Sequence, residues 1–479
     1  MRKVIAVLVL LVTTLTPAQA ADQPLTVMSR NLYLGADVGV AMELIPDFSA
    51  AAQFMWNQVA ATDFSLRAPV LAKEVIEQDA DVVGLQEATN WYCKKNLWSK
   101  KVVIFDFTKE FLAATKAAGN EYVLASKNGV DALNIGYSIP AIPYLTMVED
   151  PKSFQPIFGS DKAACGFEIG DAIVVKKELA NQIIQVGNTE YDASYSIIPK
   201  IMTIYRGYTW IDFDHNGSRV RIVSTHLESL WDSNKVPNSA LQATQLIGDL
   251  AKTNMPTIVI GDFNSDPRDP RLVDGYNPGG QPEASETCLD QGAPTSVANS
   301  LSKCNAYWLM RQGRFEDAGP DARDPKNYTW GMSALLAGPD AKRYKAAKLV
   351  GNDFGFTDRL DYIFYRNGVR VLSSKIVGNT WPQGSTWACT NEEQMKNAST
   401  IADLMKIDIP AEHFCNDTDH ASVVAKVLVP TNSIESAALP DHAPFPISFW
   451  NWVGIAIAAL IAAFIALRVR RRKRSSVYG

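Results

Sequence analysis

The chain has 479 residues, of which 47% are hydrophobic and 20% charged, and its formal net charge is −5. This is the composition of an ordinary globular protein with a sizeable core, and it excludes a low-complexity chain. Eight cations lie in residues 1–20 and 468–479, so the residues between carry a net charge near −13. Such an acidic surface weakens non-specific attraction to polyanions, although a divalent cation at a site can invert the local field.

The first twenty residues have the three parts of a secretory signal peptide. Arg2 and Lys3 precede an apolar run over residues 4–12, and the small-residue pattern Ala18-Gln-Ala20 follows. The run is short for a transmembrane start and ends at a cleavage pattern. We therefore interpret residues 1–20 as a signal peptide, followed by one domain over residues 21–430.

Two apolar strands early in the domain each end on a polar side chain. Residues 25–31 end on Asn31, and residues 81–87 end on Glu87. Between them, apolar residues recur at helical spacing over residues 65–78, which predicts a helix before the second strand. A carboxylate at a strand end is a natural ligand for Mg²⁺, whereas a lone glutamate is more often a helix cap or a surface group.

A β-hairpin is predicted in the middle of the chain. Asn216-Gly217 is a strong signal for its turn, and the second arm over residues 219–225 ends on His226. Arg206 precedes the first arm and is a candidate phosphate clamp, with a surface arginine as the alternative. Glu228 follows His226 closely, and a carboxylate partner can fix the tautomer of a histidine and raise its basicity.

A second predicted helix, over residues 239–251, precedes an apolar strand that ends in Gly261-Asp-Phe-Asn264. Alternation along a strand places Asp262 and Asn264 on one side and Phe263 on the other. Gly261 allows another backbone to approach closely. A plain Asx turn is the alternative for this tetrapeptide taken alone.

In the last two motifs the polar residues precede the strand. Asp361 stands before one apolar run, and Asp419-His420 stands before another. If these two strands run opposite to the first four, all six sets of polar side chains meet at one edge of the sheets. The sequence therefore predicts that one site is assembled from strand ends.

Three long, weakly patterned segments, at about 91–166, 266–356 and 378–418, are interpreted as insertions around the rim of this site. They hold all six cysteines, which favours disulfides in an oxidising compartment over a zinc cluster, since no Cys-x-x-Cys occurs. Fifteen connectivities are possible. We favour the sequence-adjacent pairs Cys93–Cys165, Cys288–Cys304 and Cys389–Cys415.

The end of the chain resembles a membrane anchor. Residues 447–467 form an uncharged apolar run, Trp450 and Trp452 stand at its start, and a cluster of basic residues follows. We interpret the run as a transmembrane helix, between a linker over residues 431–446 and a basic cytoplasmic tail over residues 468–479. A processed cell-wall sorting signal is the alternative, although the usual Thr-Gly of such signals is missing.

Taken in order, five motifs resemble those of the endonuclease/exonuclease/phosphatase superfamily, which includes deoxyribonuclease I and neutral sphingomyelinases. The motifs are Gln86-Glu87, Thr225-His226, Gly261-Asp-Phe-Asn264, Arg359-Leu-Asp361-Tyr and Asp419-His420. The resemblance covers about residues 25–430, apart from the insertions. It implies an α/β fold, a four-layer α/β/β/α sandwich of two packed sheets with outer helices, here followed by the C-terminal transmembrane helix.

The resemblance also implies metal-dependent phosphoester hydrolysis with Mg²⁺, or Mn²⁺ or Ca²⁺. Glu87 resembles the metal carboxylate, with Asn31 beside it and Asp419 as a further metal-side carboxylate. His420 resembles the base that activates water, oriented by Asp361.

His226 resembles the histidine that protonates the leaving group, and Asp262 and Asn264 resemble the pair that binds phosphate, nucleophile and metal. Two positions depart from the family pattern. Tyr33 stands where some members have an acidic residue, and Asp171 stands where an uncharged residue is commoner.

These features predict a membrane-tethered, extracytoplasmic, metal-dependent phosphodiesterase with metal-activated water and a histidine acid/base pair. Its substrate is a phosphodiester, either nucleic acid or a phospholipid head group, and its other partner is its own membrane; no obligate protein partner is evident. A nuclease-like or generic phosphoester hydrolase is the first hypothesis. A sphingomyelinase-like phospholipase C is the alternative, and a catalytically decayed surface binding protein is the second alternative.

Overall fold

The computed structural model describes residues 24–94, 99–149, 162–198, 202–229, 238–268, 305–382, 387, 391–409 and 414–439. All of them fall within one compact unit. The predicted signal peptide, transmembrane helix and basic tail lie outside the described residues, as does the linker beyond Leu439. Among the helices that are described, none combines the length and the apolar character needed to cross a membrane.

The strands are numbered here in chain order. They are β1 (Leu25–Asn31), β2 (Val82–Lys94), β3 (Val102–Asp106), β4 (Tyr122–Leu124), β5 (Ser126–Lys127), β6 (Val130–Asp131), β7 (Leu133–Ile139), β8 (Met147–Glu149), β9 (Lys162–Lys176), β10 (Ile183–Glu190), β11 (Tyr195–Ile198), β12 (Met202–Ile204), β13 (Gly207–His215), β14 (Ser218–His226), β15 (Thr257–Asp262), β16 (Glu316–Asp317), β17 (Asp361–Arg366), β18 (Arg370–Val377) and β19 (Ser422–Leu428).

The helices lie between these strands. They are α1 (Val38–Glu43), α2 (Phe48–Thr62), α3 (Phe64–Glu77), α4 (Phe107–Ala117), α5 (Asn238–Leu250), α6 (Ala306–Gln312), α7 (Ala341–Leu349) and α8 (Glu392–Met405), with 3-10 helices at Lys177–Gln182 and Pro325–Asn327. The two predicted helices correspond to α3 and α5, each within one residue of its predicted bounds. Both have one apolar face, which is the pattern that identifies them in the sequence.

Two sheets organise the described residues. The first has the order β18-β19-β1-β2-β9-β4, with β3 also paired to β2 and with β7 and β8 paired to β9. The second has the order β10-β13-β14-β15-β17-β16. In the first sheet β1 is parallel to β2 and antiparallel to β19; in the second, β14 is parallel to β15 and antiparallel pairing joins β15 to β17. The opposite direction of the last two motif strands is therefore confirmed.

The predicted hairpin is formed by β13 and β14. His215 pairs with Ser218 across the turn, and both turn residues have left-handed backbone angles, with φ of 54° at Asn216 and 80° at Gly217. Asn-Gly suits such a turn because both residue types tolerate positive φ.

Apolar side chains from both sheets fill the space between them. The main contributors are Leu25, Val27, Val82, Ile173, Ile211, Ile222, Ile258, Ile260, Ile363 and Val423. The other face of the first sheet packs against α2, α3 and α4, and the other face of the second packs against α5 and α6. This is the mixed α/β fold, with two sheets and several helices, that the sequence predicts.

The segment interpreted as the first insertion begins inside β2 and ends inside β9. Both strands continue their antiparallel pairing beyond the residues where β2 pairs with β1, and Cys93 lies opposite Cys165 in this stretch. These two cysteines form a disulfide, which confirms the favoured pair. Cys415 is also disulfide-bonded, while Cys288, Cys304 and Cys389 lie outside the described residues.

Candidate active site

The strand ends of both sheets meet around one carboxylate, that of Asp262 at the end of β15. Asn31, at the end of β1 in the other sheet, donates from Nδ2 to Asp262 Oδ2 at 3.1 Å. The Nε2 atoms of His226 and His420 lie 3.4 Å and 3.6 Å from the same oxygen. Side chains that are hundreds of residues apart in the chain are thus brought together, as the strand-end pattern predicts.

His420 is backed by a carboxylate. Its Nδ1 lies 2.8 Å from Asp361 Oδ2, so the Nδ1 proton is held there and Nε2 faces the cavity. Burial opposes a charge on the ring, but the carboxylates of Asp361, Asp419 and Asp262 raise the pKa of His420 well above its usual range. A divalent cation bound among these carboxylates would offset part of the rise, and the neutral ring could then accept a proton at Nε2, with the imidazolium stabilised by Asp361.

His226 is backed by a cation instead. Arg206 Nη1 lies 3.1 Å from His226 Nδ1, and a guanidinium can only donate, so Nδ1 accepts and the proton of the neutral ring is on Nε2. Burial and then the charge of Arg206 lower the pKa of His226 well below its usual range. The ring is therefore neutral, and its Nε2–H is directed at Asp262 Oδ2, 3.4 Å away. Asn264 Nδ2 lies closer but donates to the carbonyl oxygen of Leu227 at 2.7 Å. The predicted protonation of the leaving group by His226 stays a prediction.

Arg206, predicted as a phosphate clamp, borders the cavity and is already engaged. Besides His226 it bonds Glu228, with Nε 3.2 Å from Oε2. Its side chain is mostly buried. The predicted contact with phosphate remains a prediction, and the structure adds a second role, the orientation of His226.

The tetrapeptide after β15 has the alternation expected from the sequence. The Asn264 N–H donates to Asp262 Oδ1 at 2.9 Å, and Asn264 Nδ2 lies 3.0 Å from His226 Nε2. Phe263 points away, into the core outside the second sheet. A Cβ on Gly261 would lie 2.1 Å from the carbonyl oxygen of Thr225, so this position needs glycine for close approach of the two strands. Burial raises the pKa of Asp262 to about 7.

Glu87 reaches the site through a break in strand pairing. The register of β2 against β9 shifts between Leu85 and Ala88, and Glu87 has a φ of 56°. A bulge of this kind redirects a side chain that would otherwise continue the alternation. The Leu34 N–H donates to Glu87 Oε2. Burial, and next the charge of Asp419, raise the pKa of Glu87.

The donor set fits a divalent cation. Oxygen atoms of Asp262 and Asp361 and a nitrogen of His420 all lie within 4.8 Å of one another. In the part of the chain that the structure describes, Asp361 Oδ1 and Asp419 Oδ1 are buried without a hydrogen-bond partner. Crowded, buried carboxylate oxygens need positive charge, and hard oxygen donors suit Mg²⁺, Mn²⁺ or Ca²⁺. Glu87, Asn31 and Asp419 stay the predicted ligands.

Sequence reasoning missed Trp330, which lies between the site and α7. Its Nε1–H donates to Asp419 Oδ2 at 3.2 Å, and the guanidinium of Arg343 lies 3.8 Å from its ring centroid. Backbone bridges join Trp330 to Asp358 and to His420. The residue stands in an irregular segment without hydrophobic periodicity, so no pattern in the sequence identifies it.

Asp171, whose effect on a polyanion the sequence leaves open, is buried on β9. Burial raises the pKa of its carboxyl well above the usual range, and the charge of Arg206 opposes this rise. This rise favours the neutral form of the carboxyl, which weakens its repulsion of an anion. Tyr33, the other departure, follows Asn31 with a φ of 55°, and its N–H donates to Asn31 Oδ1 at 2.8 Å.

Comparison with known proteins gives a family. The model of the Endonuclease/Exonuclease/phosphatase family matches residues 66–383. Among solved structures, the chain is similar to an endonuclease/exonuclease/phosphatase family protein from Leptotrichia buccalis C-1013-b, with 14% identity, a TM-score of 0.41, and coverage of 84% of this chain and 99% of that one. No curated protein matches the chain.

Two further solved structures are similar at the same level. Mannosyl-6-phosphatase Bt3783 from Bacteroides thetaiotaomicron VPI-5482 has 15% identity, a TM-score of 0.38, and coverage of 84% of this chain and 99% of that one. Truncated Caenorhabditis elegans TDP2 has 13% identity, a TM-score of 0.37, and coverage of 85% and 98%.

Proposed function

We propose, since the chain belongs to the endonuclease/exonuclease/phosphatase family, that it is a divalent-cation-dependent phosphodiesterase. One observation carries the proposal. Two imidazoles with opposite partners, a carboxylate behind His420 and a guanidinium behind His226, direct Nε2 at the same oxygen of Asp262. Such a pair offers a proton acceptor and a proton-bearing donor on the two sides of a bound phosphate. The apolar layers described above also support the four-layer form of the fold.

In the proposed mechanism, each side chain has one task. His420 Nε2 takes a proton from the attacking water, because Asp361 holds Nδ1–H and stabilises the charged ring. His226 Nε2–H and the amide of Asn264 donate to phosphate oxygens, whose charge grows during the reaction. Glu87, Asn31 and Asp419 would hold the divalent cation, which when bound neutralises phosphate charge and promotes ionisation of water.

The complete set of reactive side chains favours turnover over a decayed binding protein. His226, His420 and Asp262 converge within hydrogen-bonding or near hydrogen-bonding distance. A nuclease-like or generic phosphoester hydrolase remains the first candidate, and a sphingomyelinase-like phospholipase C the alternative.

The membrane tether and the extracytoplasmic location are also proposals, supported by the sequence of residues 1–20 and 447–467. Recovery of the chain in the membrane fraction, lost when residues 440–479 are deleted, tests the tether. A deleted chain that still sediments with membranes would contradict it.

A substrate panel tests the activity. The full chain, in Mg²⁺ and in EDTA, is offered plasmid DNA, sphingomyelin liposomes and a soluble inositol phosphate. EDTA-sensitive hydrolysis of DNA or of sphingomyelin supports the proposal and separates the two candidates, whereas hydrolysis of the inositol phosphate alone would indicate a phosphomonoesterase and contradict it. A folded protein that binds Mg²⁺ but cleaves none of them would favour the binding protein instead.

A further inference from the structure

One wall of the active-site cavity is apolar. The cavity has a volume of about 390 Å³, and its lining includes Leu34, Val38, Met42, Phe167, Ile169 and Ile204. All of these except Met42 pack together in one apolar cluster. The wall adjoins the catalytic groups at two points, because Leu34 donates its N–H to Glu87 and Ile204 stands two residues before Arg206.

The charged lining of the same cavity is acidic. It contains the carboxylates of Asp37, Glu87, Glu228, Asp262, Asp358 and Asp419. Arg206 and Arg343 are the arginines or lysines among the described residues of the lining. Arg206 pairs with Glu228, and Arg343 stacks on Trp330. One divalent cation would leave this lining with more acidic than basic charge.

These two features discriminate between classes of phosphodiester. A polynucleotide carries a charge on every phosphate flanking the one that reacts, and proteins bind such backbones with rows of lysine and arginine. The cavity offers cations for one phosphate only, and beside it an apolar surface. When an apolar group is buried on that surface, the binding constant rises by about a factor of four for each methylene removed from water.

We infer that the substrate is a phosphodiester with an apolar esterifying group, which lies against Val38, Met42 and Ile204 while the phosphate lies at Asp262. The inference rests on the proposed function and adds a substrate class to it. The wall selects the apolar group, and the acidic lining disfavours additional phosphates.

A chain-length series tests this with the full chain in Mg²⁺. The probes are methyl, butyl and hexyl p-nitrophenyl phosphate, with thymidine 5′-p-nitrophenyl phosphate for comparison. Water attacks phosphorus, the bond to p-nitrophenolate breaks with the electron pair on that leaving group, and the water proton passes to His420. We expect kcat/KM to rise at least about tenfold from methyl to hexyl, well below the full gain for complete burial of five methylenes.

A paired variant links the effect to the wall. Val38 and Met42 are partly exposed, so Val38→Ser with Met42→Ser tests the wall with little cost to the core. The hexyl-to-methyl ratio should fall toward one. Leu372→Ser, on β18 and outside the cavity lining, is the matched control and should keep the wild-type ratio.

Binding of hexylphosphonate against methylphosphonate, measured by calorimetry on the wild type, gives a second readout that needs no variant. Tighter binding of the hexyl compound supports the inference. Hydrolysis of every ester with no dependence on chain length, or a preference for the thymidine ester, overturns it and leaves the proposed function standing. Hydrolysis of none of the esters by the folded protein overturns both.

Discussion

The two histidines of the site differ in the group that stands behind each ring. Asp361 behind His420 favours acceptance of a proton at Nε2, whereas Arg206 behind His226 excludes protonation of Nδ1. The pKa values move accordingly, upward for His420 and downward for His226. Two residues of the same type thus acquire opposite affinities for a proton from their neighbours.

Replacement of Arg206 by lysine tests this division. Lysine keeps a positive charge near Glu228 but lacks the planar fork that reaches Glu228 and His226 together. We expect kcat/KM to fall by roughly 10 to 100-fold, since His226 is no longer held in one tautomer. The measurement is a double-mutant cycle with His226→Ala.

In the His226→Ala background, Arg206→Lys should cause little further loss, because the residue acts through the imidazole. A loss of equal size in both backgrounds would mean that Arg206 contacts the phosphate directly, which is the role predicted from the sequence.

Trp330 is expected to position Asp419 for metal binding. Trp330→Phe keeps a ring beneath Arg343 but removes the N–H that Asp419 accepts. Groups that orient a ligand typically change metal affinity by about 10 to 100-fold, so we expect weaker Mg²⁺ binding in a calorimetric titration. Trp308→Phe is the control, because the Trp308 indole donates to the carbonyl of Pro267 instead. Unchanged Mg²⁺ affinity of Trp330→Phe would contradict the assignment.

At the scale of elements, the site is built where regular structure breaks. Tyr33 after β1, Glu87 in β2 and Asn264 after β15 all have positive φ, at 55°, 56° and 45°. Such angles are costly for residues with a Cβ and persist where surrounding contacts impose them. The sheets therefore hold these residues in conformations that direct their side chains into one cavity.

The approach of the two sheets depends on a glycine in β2. A Cβ on Gly84 would lie 2.8 Å from Ile260 Cγ2 and 3.0 Å from Ser224 Oγ. Gly84→Ala should therefore lower the free energy of unfolding by about 1–3 kcal/mol, as overpacking does in cores, measured by urea denaturation.

Gly248→Ala provides a control, because the free energy of unfolding is expected to rise in this variant and not to fall. Gly248 lies in α5 with nothing within 4 Å of an added Cβ, so alanine should stabilise the helix by up to about 1 kcal/mol. If Gly84→Ala left the free energy of unfolding unchanged, the two sheets would have room to separate.

The sequence predicts the motif strands well because each combines an apolar run with a polar end, and two sheets bury such runs on both faces. It does not predict the bulge at Glu87, since a register shift depends on the partner strand β9 and not on β2 alone. The contacts of Trp330 are missed for a similar reason. They are made by an irregular segment whose position is set by tertiary packing rather than by periodicity.

At the scale of the whole molecule, one disulfide links two strands of the first sheet that are far apart in the sequence. Cys93 and Cys165 are 72 residues apart in sequence, and they join β2 to β9 in the stretch beyond the pairing of β2 with β1. A cross-link over a loop of this length restricts the unfolded chain, by about 4 kcal/mol in the chain-entropy account.

We therefore expect Cys93→Ala with Cys165→Ala to lose about 2–4 kcal/mol of unfolding free energy, measured by urea denaturation against wild type. Activity in the folded state should be retained, because neither cysteine borders the cavity. Equal stability of the two proteins would mean that β2 and β9 are held together by strand pairing alone.

The most direct test of the account is hydrolysis of bis(p-nitrophenyl) phosphate by the full chain and by His420→Ala, each in Mg²⁺ and in EDTA. We expect turnover by the wild type that EDTA abolishes. We also expect a loss of roughly 10² to 10⁴-fold in the variant, whose thermal unfolding stays close to wild type. Turnover by His420→Ala at the wild-type rate, or wild-type turnover that persists in EDTA, would contradict a cation-dependent phosphodiesterase with His420 as its base.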